Sequence, residues 1–174
     1  MELNNGKERP SWDDYFMMVA LSIASRASCR KLNSGVVIVK DKRIIATGYN
    51  GSGPGIESCF NLGFCRKEKG GVKWEEKNSG ACFAAHAEIN ALLQSSASKN
   101  KGAFLFTIYS PCADCAKAIV AAGIKEVIYL KPYSEPNPRT VEMFREAGIV
   151  YRKLDLEFDK CVSLMKNLFS TTFG

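Results

Sequence analysis

Helical and alternating apolar patterns divide the first fifty residues into a helix and a pair of strands. Apolar residues recur every three to four positions over residues 11–25, which predicts a helix with one buried face. Residues 35–39 and 44–49 are strand-like and are joined by a polar turn, so they predict a β-hairpin. The first strand is apolar on both faces, as expected for a central strand that helices cover on both sides.

The second half of the chain alternates helices with strands. Helices are predicted over residues 84–94, 111–122, 139–147 and 154–169, and strands over 102–109, 125–130 and 149–151. A strand–helix–strand order predicts a parallel strand pair with a right-handed crossover. With no internal repeat and no linker, we expect one domain over residues 1–174.

A long polar stretch separates the hairpin from the second predicted helix. It opens with a glycine-rich loop over residues 48–55, in which the glycines let the backbone approach a ligand closely. Asn50 is the candidate binding residue there, because its amide offers both a donor and an acceptor. Residues 56–82 form an unusually long loop, which we expect to be functional, stapled by a metal, or mobile.

Composition and charge narrow the class of protein. The 174 residues are 46% apolar and 24% charged, typical of a soluble globular protein with one core. The chain has no apolar run long enough to span a bilayer, and its first ten residues lack a signal-peptide core, so we expect a cytoplasmic protein without a membrane partner. The net charge of +6 is spread along the chain, so it fits a phosphorylated small molecule and makes a nucleic-acid partner less expected.

Seven cysteines in a chain without a secretion signal indicate metal binding and not a disulfide framework. Four of them precede His86: Cys29, Cys59, Cys65 and Cys82. Four thiolates would close a tetrahedral structural zinc site. The alternative is that they are scattered thiols, buried or at the surface.

The strongest chemical signal combines His86, the chain's one histidine, with Glu88 and with the pair Cys112 and Cys115 after Pro111. One nitrogen and two thiolates suit a catalytic zinc, which keeps its fourth position open for water. Each half is predicted at the start of a helix, where the positive end of the helix dipole favours thiolates. H-x-E followed by P-C-x-x-C is the signature of zinc nucleobase deaminases.

This ligand set predicts a hydrolytic reaction. Zinc lowers the pKa of its bound water to about 7, so hydroxide would attack the carbon that bears an exocyclic amine. Glu88 would move the water's proton to the ring nitrogen and then to the departing amine. A redox C-x-x-C pair would need no histidine, and a purely structural zinc more often has a fourth Cys or His ligand.

Several stretches together resemble the deoxycytidylate (dCMP) deaminase family of the cytidine deaminase superfamily. They are Pro10-Ser11-Trp12-Asp13-Asp14-Tyr15-Phe16, Cys29 with Gly35-Val36-Val37-Ile38-Val39, Ile44-Ile45-Ala46-Thr47-Gly48-Tyr49-Asn50-Gly51, His86-Ala87-Glu88-Ile89-Asn90-Ala91-Leu92 and Ser110-Pro111-Cys112-Ala113-Asp114-Cys115-Ala116-Lys117. The resemblance implies a three-layer α/β/α sandwich with a five-stranded mixed sheet. It also implies zinc-dependent hydrolysis of dCMP to dUMP and ammonia, which feeds thymidylate synthesis.

The resemblance also assigns roles to residues and suggests partners. His86, Cys112 and Cys115 would bind zinc, and Glu88 would move protons. Asn50 and the backbone of Ala87 and Ser110 would hold the nucleotide, with Tyr133 near the base. Many members of the family form hexamers that dCTP activates and dTTP inhibits, and some carry a second, structural zinc.

The 5′-phosphate of such a nucleotide needs positive or hydroxyl-bearing partners. Residues 25–31 form a basic connection after the first helix, and it leads directly into a buried strand. We therefore take Arg26, Ser28 and Lys31 as candidate phosphate ligands.

The chain departs from the family pattern in two places. Ser58-Cys59 stands where members with a structural zinc often have His-Cys, so a second site would use cysteines alone, and the stretch over residues 65–80 is long and charged.

One alternative function is a deaminase of a base in tRNA or single-stranded DNA, which would need a basic groove with exposed aromatic residues. Another is a zinc-stapled binding module without catalysis, against which the intact Glu88 argues.

Overall fold

A computed structural model describes residues 9–76, 79–133 and 137–173 of the chain. In chain order the elements are α1 (Trp12–Ala24), β1 (Gly35–Lys40), β2 (Arg43–Tyr49), β3 (Gly51–Ser52), α2 (Cys59–Leu62), α3 (Arg66–Lys69), β4 (Ala84–Ala85), α4 (Ala87–Leu93), α5 (Ala97–Asn100), β5 (Phe104–Tyr109), α6 (Ala113–Ala121), β6 (Glu126–Lys131), α7 (Pro138–Glu146), β7 (Val150–Lys153) and α8 (Phe158–Phe173). The long polar stretch after the hairpin therefore contains two short helices, α2 and α3.

Five strands form one mixed sheet in the order β2-β1-β5-β6-β7. Strand β1 is antiparallel to both β2 and β5, whereas β5, β6 and β7 run parallel to one another. The hairpin turn uses Asp41 and Lys42, both with positive φ, as a two-residue turn between twisted strands requires. The predicted hairpin, the parallel pair and the five-stranded mixed sheet are confirmed.

Helices cover both faces of the sheet. Helix α1 packs on one face, where Ser11 caps it by accepting from the Asp14 N–H at 3.1 Å. The buried apolar residues on this face are Phe16, Met17, Ala20, Val37, Val39, Phe106, Ile128, Leu130 and Leu156. The opposite face carries α4, α6 and α7 over a second cluster that includes Val36, Ile38, Ala91, Leu105, Ile119, Val127 and Phe144. The three-layer α/β/α prediction is confirmed.

Three helices begin later than the sequence pattern predicts. Ala84 and Ala85 pair with β3, so α4 starts at Ala87 and His86 is its N-cap residue. Cys112 is the N-cap residue of α6, so Pro111 lies before this helix and not at its first position. Backbone pairing of the Leu154 N–H with the Tyr129 carbonyl delays α8 to Phe158. Backbone pairing, which periodicity does not report, sets the starts of α4 and α8.

Helix α4 lies very close to the hairpin because β2 contains Gly48. A Cβ atom at this position would lie 2.4 Å from both the Ala87 carbonyl oxygen and the Ala91 nitrogen, which are backbone atoms of α4. A side chain here would therefore push the helix that carries His86 and Glu88 away from the sheet.

Within the described part of the chain, no helix has both the length and the apolar character needed to cross a membrane.

Candidate active site

Two helix starts bring three potential metal ligands together. His86 precedes α4, Cys112 precedes α6, and Cys115 lies in the first turn of α6. The His86 Nδ1 atom is 3.5 Å from the Cys112 Sγ and 3.3 Å from the Cys115 Sγ. Neither His86 nor Cys112 caps its helix through a side-chain hydrogen bond, although both occupy N-cap positions. Both side chains are thus directed to the shared cluster.

The spacing of this cluster fits zinc. Zinc binds a histidine nitrogen at about 2.0–2.1 Å and a thiolate at about 2.3 Å, so two such tetrahedral ligands lie roughly 3.6 Å apart. The observed separations of 3.3 and 3.5 Å approach this value. All three ligand atoms lie within 4.8 Å of one another, and no other group of three or more His, Cys, Asp or Glu side chains in the described ranges is so placed.

The pKa values of the two thiols shift in opposite directions, which favours the thiolate form of one of them. A hydrogen bond from Cys115, together with His86, lowers the pKa of Cys112 to about 4, although burial opposes the shift. The same hydrogen bond and burial raise the pKa of Cys115. The hydrogen bond to Cys112 raises the pKa of His86. A metal ion bound here would displace these protons, because it binds thiolates and a neutral imidazole.

Glu88 lies beside the cluster and is buried. Its side chain is 6% exposed, and its Oε2 atom is 3.7 Å from the Cys115 Sγ. Burial raises the pKa of Glu88 above its ordinary value of 4.5, and the positive charge of His86 only partly opposes this. A buried carboxyl group beside a metal-type cluster is a candidate for accepting and releasing a proton.

A cavity of about 240 Å³ opens onto His86, Glu88 and Cys112. Four further predicted binding residues line it: Asn50, Ala87, Ser110 and Tyr133. The structure therefore gathers the predicted metal ligands, the predicted proton carrier and these four residues around one space.

Asn50 and Ser110 already make structural hydrogen bonds in this wall. The Asn50 side chain accepts from the Ser34 N–H at 2.8 Å and donates to the Leu32 carbonyl at 2.7 Å. The Ser110 hydroxyl accepts from the Tyr133 N–H at 2.9 Å. Both residues fix loops of the wall, and Asn50 retains one further N–H and one further lone pair for a ligand.

The three predicted phosphate ligands do not line this cavity. Arg26 is exposed, and the Ser28 N–H pairs with the Asn50 carbonyl at 3.1 Å. The Lys31 ammonium forms a salt bridge with Glu68 at 2.8 Å. Instead, Lys67 and Trp74 from the long polar stretch lie in the wall. The sequence carried no periodic signal for them, because that stretch has neither helical nor strand-like spacing.

The four other candidate zinc ligands are not gathered into one set. Cys29 and Cys82 line the cavity, whereas Cys59 is the first residue of α2 and Cys65 precedes α3. Among the described residues, the one cluster of three or more metal-type ligands is that of His86, Cys112 and Cys115. The described residues therefore do not show these four cysteines as one ligand set, and the four-cysteine zinc site stays a prediction.

The chain is similar to known deaminases over most of its length. Residues 10–131 match the family model described as the cytidine and deoxycytidylate deaminase zinc-binding region. A deoxycytidylate deaminase of Saccharomyces cerevisiae is 40% identical over 146 residues, which cover 83% of this chain but 45% of the yeast protein. The chain thus spans less than half the length of that relative.

Two phage proteins match nearly over their full length. A deoxycytidylate deaminase of Mycobacterium phage D29 is 40% identical over 126 residues, covering 71% of this chain and 97% of the phage protein. The dCMP deaminase of cyanophage S-TIM5, solved in complex with dCMP and dUMP, is 28% identical with a TM-score of 0.66 and covers 84% of this chain and 99% of that one. The cluster at the two helix starts and the match over residues 10–131 lead to one conclusion: this chain belongs to the cytidine and deoxycytidylate deaminase family.

Proposed function

We propose that the chain deaminates deoxycytidylate by hydrolysis. Water adds at C4 of the cytosine ring, the C4–amine bond breaks, and the products are deoxyuridylate and ammonia. The observation that carries this proposal is the placement of buried Glu88 beside three converging zinc-type ligands at one cavity. The names of the yeast and phage relatives support a deoxycytidine nucleotide as the substrate.

In this reaction His86, Cys112 and Cys115 hold one zinc ion. When bound, zinc would lower the pKa of a water molecule to about 7 and so supply a nucleophile at neutral pH. Glu88 takes the proton of that water, delivers it to the ring nitrogen and then protonates the departing amine. The raised pKa of Glu88, caused by burial, suits a group that must hold and release a proton in turn.

The wall of the cavity would position the nucleotide. Ala87 is the first residue of α4, so its N–H has no acceptor within the helix and is available to a ligand. The Ser110 N–H is taken by the Lys131 carbonyl at 2.9 Å, which leaves the Ser110 carbonyl for the substrate. Asn50 would add its remaining amide groups, and Tyr133 would lie near the base.

A substrate comparison tests the proposed function. The zinc-loaded protein is assayed for ammonia release with dCMP, dCTP, cytidine and a tRNA anticodon stem-loop. We expect the highest kcat/KM for dCMP. A higher value for the stem-loop would overturn the proposal in favour of an RNA-directed deaminase, and no turnover of any substrate would favour a binding module.

Metal analysis tests the ligand assignment. We expect about one zinc ion per chain, because the structure gathers one ligand set. Replacing Cys115 by serine is expected to reduce the zinc content to near zero, since a hydroxyl is a much poorer zinc ligand than a thiolate. Elemental analysis of the purified variants measures this directly.

Cys59→Ser is the matched control for the metal analysis. This cysteine lies outside the cluster, so its variant should keep the zinc content of the parent protein. Two zinc ions per chain, one of them lost in Cys59→Ser, would instead establish the structural four-cysteine site.

Assembly, regulation and location are part of the same proposal. Among the described residues four large apolar side chains are more than half exposed on the single chain, Phe60 at 66%, Phe83 at 54%, Leu93 at 77% and Phe158 at 79%, which supports a homo-oligomer such as a hexamer. Light scattering would report a multiple of 19.2 kDa.

Assays with added dCTP and dTTP test activation and inhibition. All seven cysteines are free, which supports a reducing compartment such as the cytoplasm.

A further inference from the structure

Lys67 is a buried lysine in the wall of the catalytic cavity. It is 6% exposed and belongs to the short helix α3. Its Nζ donates to the Trp74 carbonyl at 2.9 Å and also to the Glu76 carbonyl. The Lys67 carbonyl in turn accepts from the Val72 N–H at 3.1 Å. These contacts fold residues 67–76 into a compact wall and hold the ammonium group within it.

The positive charge of Lys67 has only neutral partners. None of the salt bridges between described residues includes it, whereas Lys31 nearby is paired with Glu68. Backbone carbonyls satisfy N–H groups but carry no net charge. Lysines are almost never this buried without a carboxylate partner, because removing an ammonium group from water is costly. A buried cation with uncompensated charge is therefore poised to bind an anion.

The cavity gives this anion a specific place. His86, Glu88 and Cys112 line the same space, and in the described part of its lining Lys67 is the one side chain that bears an ammonium or guanidinium group. Arg26 and Lys31, the basic residues predicted from the sequence, lie outside the lining. Glu76 also lines the space, but its side chain is exposed to solvent.

We propose that Lys67 binds the 5′-phosphate of the nucleotide substrate and so makes the enzyme prefer a nucleotide over the corresponding nucleoside. This inference rests on the proposed function, because it takes the reacting base to lie at His86 and Glu88. It assigns the phosphate to the long polar stretch and not to the connection after α1. A phosphate oxygen would accept a charge-assisted hydrogen bond from Nζ.

Lys67→Met tests this assignment, since methionine keeps much of the apolar stem and removes the charge. We expect the ratio of kcat/KM for dCMP to that for deoxycytidine to fall about 10- to 100-fold, as for loss of one hydrogen bond to a charged group. The exposed Lys73→Met makes the same change in net charge outside the cavity lining and should keep the parent ratio. An equal loss for both substrates would overturn the inference, because Lys67 would then only brace the wall.

A binding measurement separates this inference from the proposed function. Calorimetry with dUMP and deoxyuridine needs no turnover, and we expect Lys67→Met to lose most of the preference for dUMP. Suppose that the parent protein deaminates neither dCMP nor deoxycytidine, but that Lys67→Met loses the parent's preference for binding dUMP. The phosphate assignment then stands and the proposed function fails. If the parent binds both ligands equally, the assignment is wrong.

A third measurement applies to the parent protein if Lys67→Met does not fold. Lysine acetylation followed by peptide mass spectrometry compares Lys67 with Lys73. We expect dUMP, but not deoxyuridine, to slow acetylation of Lys67, with no change at Lys73. Equal rates at Lys67 with and without dUMP would overturn the inference.

Discussion

Replacing Glu88 by glutamine is expected to abolish deamination while zinc stays bound. Glutamine fills the same buried space beside Cys115 but can neither accept nor deliver a proton. General acid–base catalysis contributes about 100- to 10,000-fold, so kcat should fall by at least this range. Because burial raises the pKa of Glu88, ionising it lowers the free energy of unfolding as the pH rises past 4.5, and glutamine removes that effect. The variant should therefore fold.

Zinc content and turnover of dCMP measured on the same preparation check this expectation. Glu142→Gln, on the exposed surface of α7, makes the same chemical change away from the cavity and should keep the parent rate. Near-full activity of Glu88→Gln would show that another group carries the proton.

Gly48→Ala is expected to destabilise the fold strongly and to disturb the zinc site with it. The added Cβ would meet the Ala87 oxygen and the Ala91 nitrogen at 2.4 Å, and both are backbone atoms that cannot rotate away. Overpacking typically costs about 1–3 kcal/mol, and a clash with helix backbone should reach or exceed the upper value. Since α4 would have to shift, His86 would move relative to Cys112 and Cys115.

Urea unfolding and zinc affinity measure the two consequences. Gly53→Ala is the matched control, because its Cβ would meet no atom within 4 Å and its φ is not positive. We expect this control to change the free energy of unfolding by less than about 1 kcal/mol. Similar stability for the two variants would show that α4 can slide without cost.

The sequence was sufficient to predict the parts of the site that depend on local spacing. Cys112 and Cys115 are three residues apart after a strand, and His86 and Glu88 are two apart at a helix start, so each pair is nearly fixed by its own backbone. The alternation of elements likewise predicted the hairpin and the parallel strand pair, whereas the three-layer sandwich with its five-stranded mixed sheet was implied by the family resemblance. Those predictions depend on short-range periodicity, which a single sequence displays directly.

Local spacing does not report contacts between residues that are far apart in the chain, and here the structure differs from what the sequence suggested. Lys31 was a candidate phosphate ligand, but in the folded chain Glu68 from the long polar stretch neutralises it. Lys67 from the same stretch takes the place in the cavity wall. Residues 67–76 are held together by hydrogen bonds such as those from Lys67 to the Trp74 and Glu76 carbonyls, which leave no pattern along the chain. The four-cysteine zinc site stays a prediction for the same reason, since it joins residues that are far apart along the chain.

The two N-cap positions without side-chain capping couple metal binding to folding. Helices α4 and α6 begin at His86 and Cys112, where a serine or aspartate would typically contribute about 0.5–2 kcal/mol. The native state lacks this contribution at both helices, and an ion bound to both helix starts would stabilise it instead. Any ligand that binds the native state alone shifts the folding equilibrium by RT ln(1 + [L]/Kd). The folded fraction would thus depend on the supply of zinc. When a cell is depleted of zinc, both the abundance and the activity of this protein would fall.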